Sequence, residues 1–164
     1  MFIRLCLCMI MLTSLQTPLH ASPDLARLWG QSAETLYQHT MDLHEGLDRD
    51  QPVAVSDRYG LDLFRFGRTA ALLAQWIDTT HGPADLGCIF RGMSEDATAQ
   101  LSVLETAPSP GAHRAALDRL TTLFADAQMI AQAAQKRAPA PSISAAPQTA
   151  TCPADGGALL DILR

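Results

Sequence analysis

The stretch that most constrains the fold is residues 57–107, an apolar segment with helical periodicity interrupted once by a His81-Gly82-Pro83 turn. On both sides of the turn, apolar residues recur at steps of three and four, the spacing of one buried face of a bundle helix. Because the link is short, the two helices should lie antiparallel as a hairpin. The apolar faces are Tyr59, Leu63, Phe66, Ala70, Leu73 and Ile77 before the turn, and Leu86, Phe90, Met93, Ala97, Leu101 and Leu104 after it.

Local signals set the ends of the first hairpin helix. Ser56 is a typical N-cap, and Gly82 followed by Pro83 suits the end of one helix and the first turn of the next. Gly60 and Gly67 lie within the helix, where glycine costs about 1 kcal/mol relative to alanine, so they indicate close contact with a neighbouring helix. This helix is apolar around most of its circumference, which predicts that it is the most buried one.

Two further helices flank the hairpin. One begins at Ser22-Pro23 and the other at Ser109-Pro110, each a cap followed by proline at the first helical position. No segment has a convincing strand pattern. The sequence therefore predicts an all-α fold, an up-down four-helix bundle over residues 22–137. Residues 138–151 are rich in Pro and Ala and predict an extended linker, and residues 152–164 form a short apolar tail.

The first 21 residues have the features of a signal peptide. Arg4 gives a basic start, Leu5 to Leu15 is an apolar run of about 11 residues, and Ala21 suits a cleavage site before Ser22. An N-terminal membrane anchor is the alternative, but the run is shorter than the ~20 residues that a span needs. We expect an exported mature protein, periplasmic or secreted, with no stable membrane span after cleavage.

Charge restricts the possible partners. The formal net charge is −5, and cleavage would remove Arg4 alone among the charged residues, leaving −6. An acidic chain with scattered basic residues disfavours nucleic acid and anionic membrane surfaces as partners. About 140 mature residues make one domain with a sizeable core.

The mature chain would keep two of the four cysteines, Cys88 and Cys152. In an oxidising compartment such a pair predicts a disulfide, with two unlinked thiols as the alternative. Cys88 lies about 180° from the apolar face of its helix and should point outward. The bond would close a loop of more than 60 residues, which the chain-entropy model rates at roughly 4 kcal/mol.

The disulfide would tether the apolar tail beside the third helix. Arg91 and Gly92 interrupt the apolar pattern there, and we expect a surface at this position that could receive the tail. Either the tail simply covers the side of the bundle, or it and the rim at Arg91 bind a partner protein. The tail residues concerned are Leu159, Leu160, Ile162 and Leu163.

Cofactor and catalytic patterns are weak. A Cys-x-x-Cys-His haem motif is absent, and Met93 is the only methionine on an inward face. His44 and His113 should lie at one level of the bundle and, with Glu45 or Glu105, could hold copper or zinc. The alternative is that both are half-exposed histidines at the edge of the core. No nucleophile, phosphate-loop or metalloprotease motif is found, so we expect no catalytic residue and no cofactor.

These observations favour a non-enzymatic exported bundle that acts through protein–protein contacts, as an accessory or scaffold component. A bundle that binds a small ligand or a Cu/Zn ion at the His44/His113 end is the alternative.

Overall fold

The computed structural model describes residues 23–47, 52–107, 109–136 and Cys152. These residues form four helices, α1 (Pro23–Glu45), α2 (Asp57–Thr79), α3 (Ala84–Thr106) and α4 (Pro110–Lys136), and they include no strand. The prediction of an all-α bundle is confirmed. The predicted signal peptide (1–21), the predicted linker (138–151) and tail residues 153–164 lie outside the described residues.

Side-chain caps begin two of the helices as the sequence indicates. The Ser56 hydroxyl accepts a hydrogen bond from the Tyr59 amide at 3.2 Å, and the Ser109 hydroxyl accepts one from the Ala112 amide at 3.2 Å. Each bond satisfies an amide that would otherwise have no partner in the first helical turn.

The turn between α2 and α3 differs from the prediction in two respects. The residue with left-handed backbone is His81 (φ 54°), not Gly82, and Pro83 precedes α3 rather than lying in its first turn. The Gly82 amide donates to the Ile77 carbonyl at 2.8 Å and the His81 amide to the Asp78 carbonyl at 3.4 Å. This pair of bonds is the Schellman motif, in which the left-handed position falls one residue before Gly82.

The helices form a ring in chain order, in which α2 packs closely on α3 and α1 on α4. Contacts between helices show that neighbours are antiparallel. Near one end, Thr40 of α1 meets Tyr59 of α2, and in the middle of the bundle Trp29, earlier in α1, meets Phe66, later in α2. The α3–α4 pair is joined by an ion pair between Arg119 Nε and Asp96 Oδ2 at 2.6 Å.

Four aromatic rings, one from each helix, fill the middle of the bundle. Trp29 stacks on Phe66 with a centroid distance of 4.8 Å. Phe90 meets the Trp29 ring edge-on at 5.2 Å, and Phe124 meets the Phe66 ring edge-on at 5.1 Å. All four side chains are fully buried. The cluster connects α1 with α3 and α2 with α4, the diagonally opposite helices of the bundle.

Two hydroxyl groups meet in the core next to the aromatic cluster, toward the C-terminal end of α1. Thr40 and Tyr59 are buried, and their oxygens are 2.7 Å apart. Because the Thr40 hydroxyl donates to the Leu36 carbonyl at 2.7 Å, the Tyr59 hydroxyl is the donor between the two side chains. Burial raises the pKa of Tyr59 to about 12.

Of the described glycines, Gly30 leaves the least room for a side chain. A Cβ added at Gly30 would lie 2.7 Å from the Ala131 Cβ, so α1 and α4 touch there. At Gly67 and Gly60 the nearest atoms would be 3.4 Å and 3.7 Å away, which is near ordinary van der Waals contact. These atoms belong to α3: the Ala97 Cβ and the Ser94 carbonyl oxygen beside Gly67, and a Leu101 methyl beside Gly60. The predicted close contact of these glycines with a neighbouring helix is thus confirmed.

None of the four described helices combines the length and apolar character that crossing a lipid bilayer requires.

Candidate functional site

The most distinctive polar arrangement lies where the start of α3 meets the end of α2. Cys88, in the second turn of α3, pairs with Cys152, and their Cα atoms are 5.4 Å apart. The pairing agrees with the sequence prediction. Cys88 is half-buried rather than directed fully outward, whereas Cys152 is exposed.

Arg91 links this disulfide to α2. Its Nη2 donates to the sulfur of Cys152 at 3.2 Å and to that of Cys88 at 3.4 Å. Its Nη1 donates to Oδ2 of Asp78 at 2.6 Å, and both charged side chains are about one-third exposed. The guanidinium is therefore held between a carboxylate on α2 and the two sulfur atoms.

Gly87 allows this arrangement to form. A Cβ at position 87 would lie 2.8 Å from Oδ1 of Asp78, so a larger residue would push the carboxylate away. The sequence pattern does not reveal this, because Asp78 and Gly87 lie on different helices. Only the turn between α2 and α3 brings them together.

An open groove extends from the Arg91–Asp78 pair between α2 and α3. Its volume is about 360 Å³. The side chains that line the groove are small or polar. Besides Asp78 and Arg91, they are Ala71, Ala74, Gln75, Ser94 and Glu95. Of the predicted interaction surface, Arg91 lies at this groove.

Gly92 does not lie in the groove. It is exposed, and a Cβ there would meet nothing within 4 Å. The predicted tail contacts Leu159, Leu160, Ile162 and Leu163 lie outside the described residues.

A second surface, the outer face of α2, was missed by the sequence analysis. Leu61, Phe64 and Leu72 are 45%, 53% and 47% exposed. At 100° per residue they fall within an arc of about 80°, on the side of α2 opposite its buried face. Helix α2 is apolar around its circumference as predicted, but the inference that it is the most buried helix fails for this face.

Arginines accompany these apolar residues. Arg68 lies within the same arc and has no carboxylate partner among the described residues. Arg65 flanks it and reaches Oδ1 of Asp62 at 3.4 Å. The hydrogen bond from Arg58, 2.6 Å from Oδ2, lowers the pKa of the Asp62 carboxyl. We call Leu61, Phe64, Arg65, Arg68 and Leu72 the α2 face.

The two candidate metal-ligand histidines have other partners. His44 Nε2 lies 2.7 Å from Oδ1 of Asp118, so α4 supplies its carboxylate neighbour instead of Glu45 or Glu105. His113 is buried, and its Nε2 hydrogen-bonds to the Ala107 carbonyl at 2.9 Å. Its Nδ1 is buried without a hydrogen-bond partner in the described part of the chain.

Among residues 23–47, 52–107, 109–136 and 152, no group of three or more His, Cys, Asp or Glu side chains is placed to hold a metal ion.

Comparison with known proteins does not assign the chain to a family. No family model matches the chain, and neither a curated protein nor a solved structure is detectably similar to it.

Proposed function

We propose that this protein is an exported, non-enzymatic bundle that binds a partner protein through the α2 face. The observation that carries the proposal is the exposure of Leu61, Phe64 and Leu72 on one side of one helix. Isolated exposed apolar residues are ordinary, but three on a single helix face form a patch of the kind that interfaces use.

The charges on the α2 face indicate what kind of partner fits it. Arg68 is unpaired among the described residues, while Asp62 is occupied by Arg58 and Arg65 and is only 25% exposed. An apolar surface flanked by Asp or Glu would therefore complement it. In a symmetric antiparallel pairing of two α2 faces, Arg65 and Arg68 of one copy would approach those of the other, which disfavours self-association.

Photo-crosslinking in the cells that make the protein tests this proposal. Benzoylphenylalanine at position 64 should crosslink to a protein, whereas the same probe at Met129 should not. Met129 is a matched control because it is 45% exposed on α4. The partner, once identified and purified, should bind the wild type and lose roughly tenfold or more in affinity with the Arg65→Glu/Arg68→Glu variant.

Other results would contradict the proposal. Equal crosslinking from positions 64 and 129 would show that the α2 face is not selective. Crosslinks only to lipid, to a second copy, or to residues 153–164 of the same chain would assign the face to a membrane, a dimer or the tail. A partner whose affinity is unchanged by the double charge reversal would rule out the acidic complement.

Export is a separate part of the proposal, supported by the basic and apolar pattern of residues 1–21. N-terminal sequencing of the protein from its source should find Ser22 as the first residue. A first residue within 1–10, or recovery of the intact chain in the membrane fraction, would contradict cleavage and favour an anchor.

A further inference from the structure

The contact between Arg91 and both sulfur atoms of the disulfide has a chemical consequence that is independent of the α2 face. Cys88 and Arg91 are three residues apart on α3, so they lie on neighbouring turns of one rigid helix. Their contact therefore does not depend on the disulfide being intact. If the bond opens, the guanidinium still faces the Cys88 sulfur.

A positive charge at this distance favours the thiolate form of cysteine, and a stabilised thiolate is a better leaving group in thiol–disulfide exchange. We propose that Cys88–Cys152 is an exchange site at which an incoming thiolate attacks the Cys152 sulfur and displaces Cys88 as a thiolate beside Arg91. The co-reactant is a thiol, either a small molecule of the glutathione class or a protein dithiol.

The difference in exposure between Cys88 and Cys152 determines which sulfur atom is attacked. Cys152 is exposed and Cys88 is half-buried, so a nucleophile reaches Cys152 more easily. A new S–S bond forms between the incoming sulfur and Cys152, and the electron pair of the broken bond moves to Cys88. A second thiolate can then attack the mixed disulfide at the co-reactant's sulfur. The protein is left with two reduced cysteines, and the co-reactant is oxidised to its disulfide.

Asp78 weakens the effect of the Arg91 charge on Cys88. Its carboxylate positions Arg91 but also offsets part of the positive charge that faces Cys88. The nearby carboxylates on α3 itself are Asp85, which is exposed, and Glu95 at the far end of the groove. An Asp78→Asn variant keeps an oxygen that can accept from Arg91 and removes the negative charge, so it should accelerate exchange.

Opposite effects of two variants test the proposal. The rate of reduction of the folded, oxidised protein by glutathione and by dithiothreitol would be followed by acid quenching and mass spectrometry at fixed pH. Arg91→Gln should slow reduction roughly fivefold, and Asp78→Asn should accelerate it by a similar factor. Arg119→Gln is the matched control, because Arg119 pairs with Asp96 away from the disulfide and should leave the rate unchanged.

Two more measurements separate electrostatics from loosened packing. Trapped mixed disulfide should carry glutathione on Cys152 and not on Cys88. In the reduced protein, iodoacetamide should alkylate Cys88 more slowly in Arg91→Gln than in the wild type. If Arg91→Gln does not fold, Asp78→Asn compared with the wild type still provides the test.

Several outcomes would overturn the exchange site. They are reduction of Arg91→Gln at the wild-type rate, acceleration by both substitutions, glutathione found on Cys88, or a wild-type disulfide that resists both glutathione and dithiothreitol at millimolar concentration for hours while the bundle stays folded. Reduction by dithiothreitol but not by glutathione supports the site and identifies a dithiol as the class of co-reactant. None of these results depends on whether the α2 face binds a partner.

Discussion

The indole nitrogen of Trp29 donates a hydrogen bond to the backbone carbonyl of Phe66 at 3.1 Å, and the two rings stack 4.8 Å apart. This single side chain joins α1 to α2 by both a polar and an apolar contact. The contact between α1 and α2 is otherwise less extensive than those of α1 with α4 and of α2 with α3. Trp29 therefore links the two closely packed helix pairs, together with the Thr40–Tyr59 hydroxyl pair and the Arg119–Asp96 ion pair.

Replacing Trp29 with Phe should lower the free energy of unfolding by about 2 kcal/mol, because the hydrogen bond is lost and a small cavity opens beside Phe66 and Phe90. Trp76→Phe is the matched control, since Trp76 is only half-buried and should cost less than half as much. Urea unfolding followed by far-UV circular dichroism measures both. Equal losses would show that the aromatic cluster is not the centre of the bundle's stability.

Gly30→Ala and Gly92→Ala should change stability in opposite directions. The new methyl at position 30 would lie 2.7 Å from the Ala131 Cβ, so α1 and α4 must separate, at a cost of roughly 1–3 kcal/mol. At position 92 nothing lies within 4 Å, so alanine should stabilise α3 by about 0.5–1 kcal/mol through helix propensity.

Ala131→Gly should restore part of the stability lost in Gly30→Ala, because it removes the opposing methyl. A double-mutant cycle on urea midpoints measures this coupling. Additive effects of the two substitutions would contradict direct contact between positions 30 and 131.

Alkaline pH should destabilise the bundle through Tyr59. Burial raises the pKa of Tyr59 from about 10 to about 12. The folded chain thus holds its phenol proton where the unfolded chain releases it. The resulting stability is fully present below pH 10 and is lost as pH rises from 10 to 12, an effect on the order of 2 kcal/mol.

Comparison with Tyr59→Phe isolates this titration. The variant should cost about 1 kcal/mol at pH 7, since the Thr40 hydroxyl keeps its bond to the Leu36 carbonyl. Between pH 9 and 11.5 its stability should fall less steeply than that of the wild type, as measured by urea midpoints. Parallel curves would show that Tyr59 does not titrate with unfolding.

The helices were predictable because their signals are local. Ser56 and Ser109 cap the helices that follow them, and the steps of three and four predicted most of the buried residues of α2 and α3. The contacts at the candidate site were not predictable, since the proximity of Asp78, Gly87 and Arg91 depends on the helix packing angle and on the left-handed residue being His81. The exposed α2 face was missed for a different reason. An apolar pattern around a helix cannot tell which face lacks a neighbour.

The disulfide should contribute less to stability than its sequence separation of 64 residues suggests. In the unfolded chain, that whole loop is closed, which alone is rated at roughly 4 kcal/mol. In an antiparallel bundle the end of α4 lies at the level where α3 begins. If residues 138–151 form the extended linker that the sequence predicts, only residues 137–151 remain to be closed into a ring in the folded protein. Because loop entropy depends on the logarithm of length, the difference is about 1 kcal/mol.

The Cys88→Ser/Cys152→Ser variant measures this difference by urea unfolding, with the reduced wild type as the matched control. Both should unfold about 1 kcal/mol more easily than the oxidised protein, with a steeper denaturant dependence because the unfolded chain is no longer cross-linked. A loss near 4 kcal/mol would mean that residues 137–151 are held in place by the folded bundle. The disulfide would then contribute substantially to the stability of the bundle. Its reduction beside Arg91 would destabilise the whole fold and not only release Cys152.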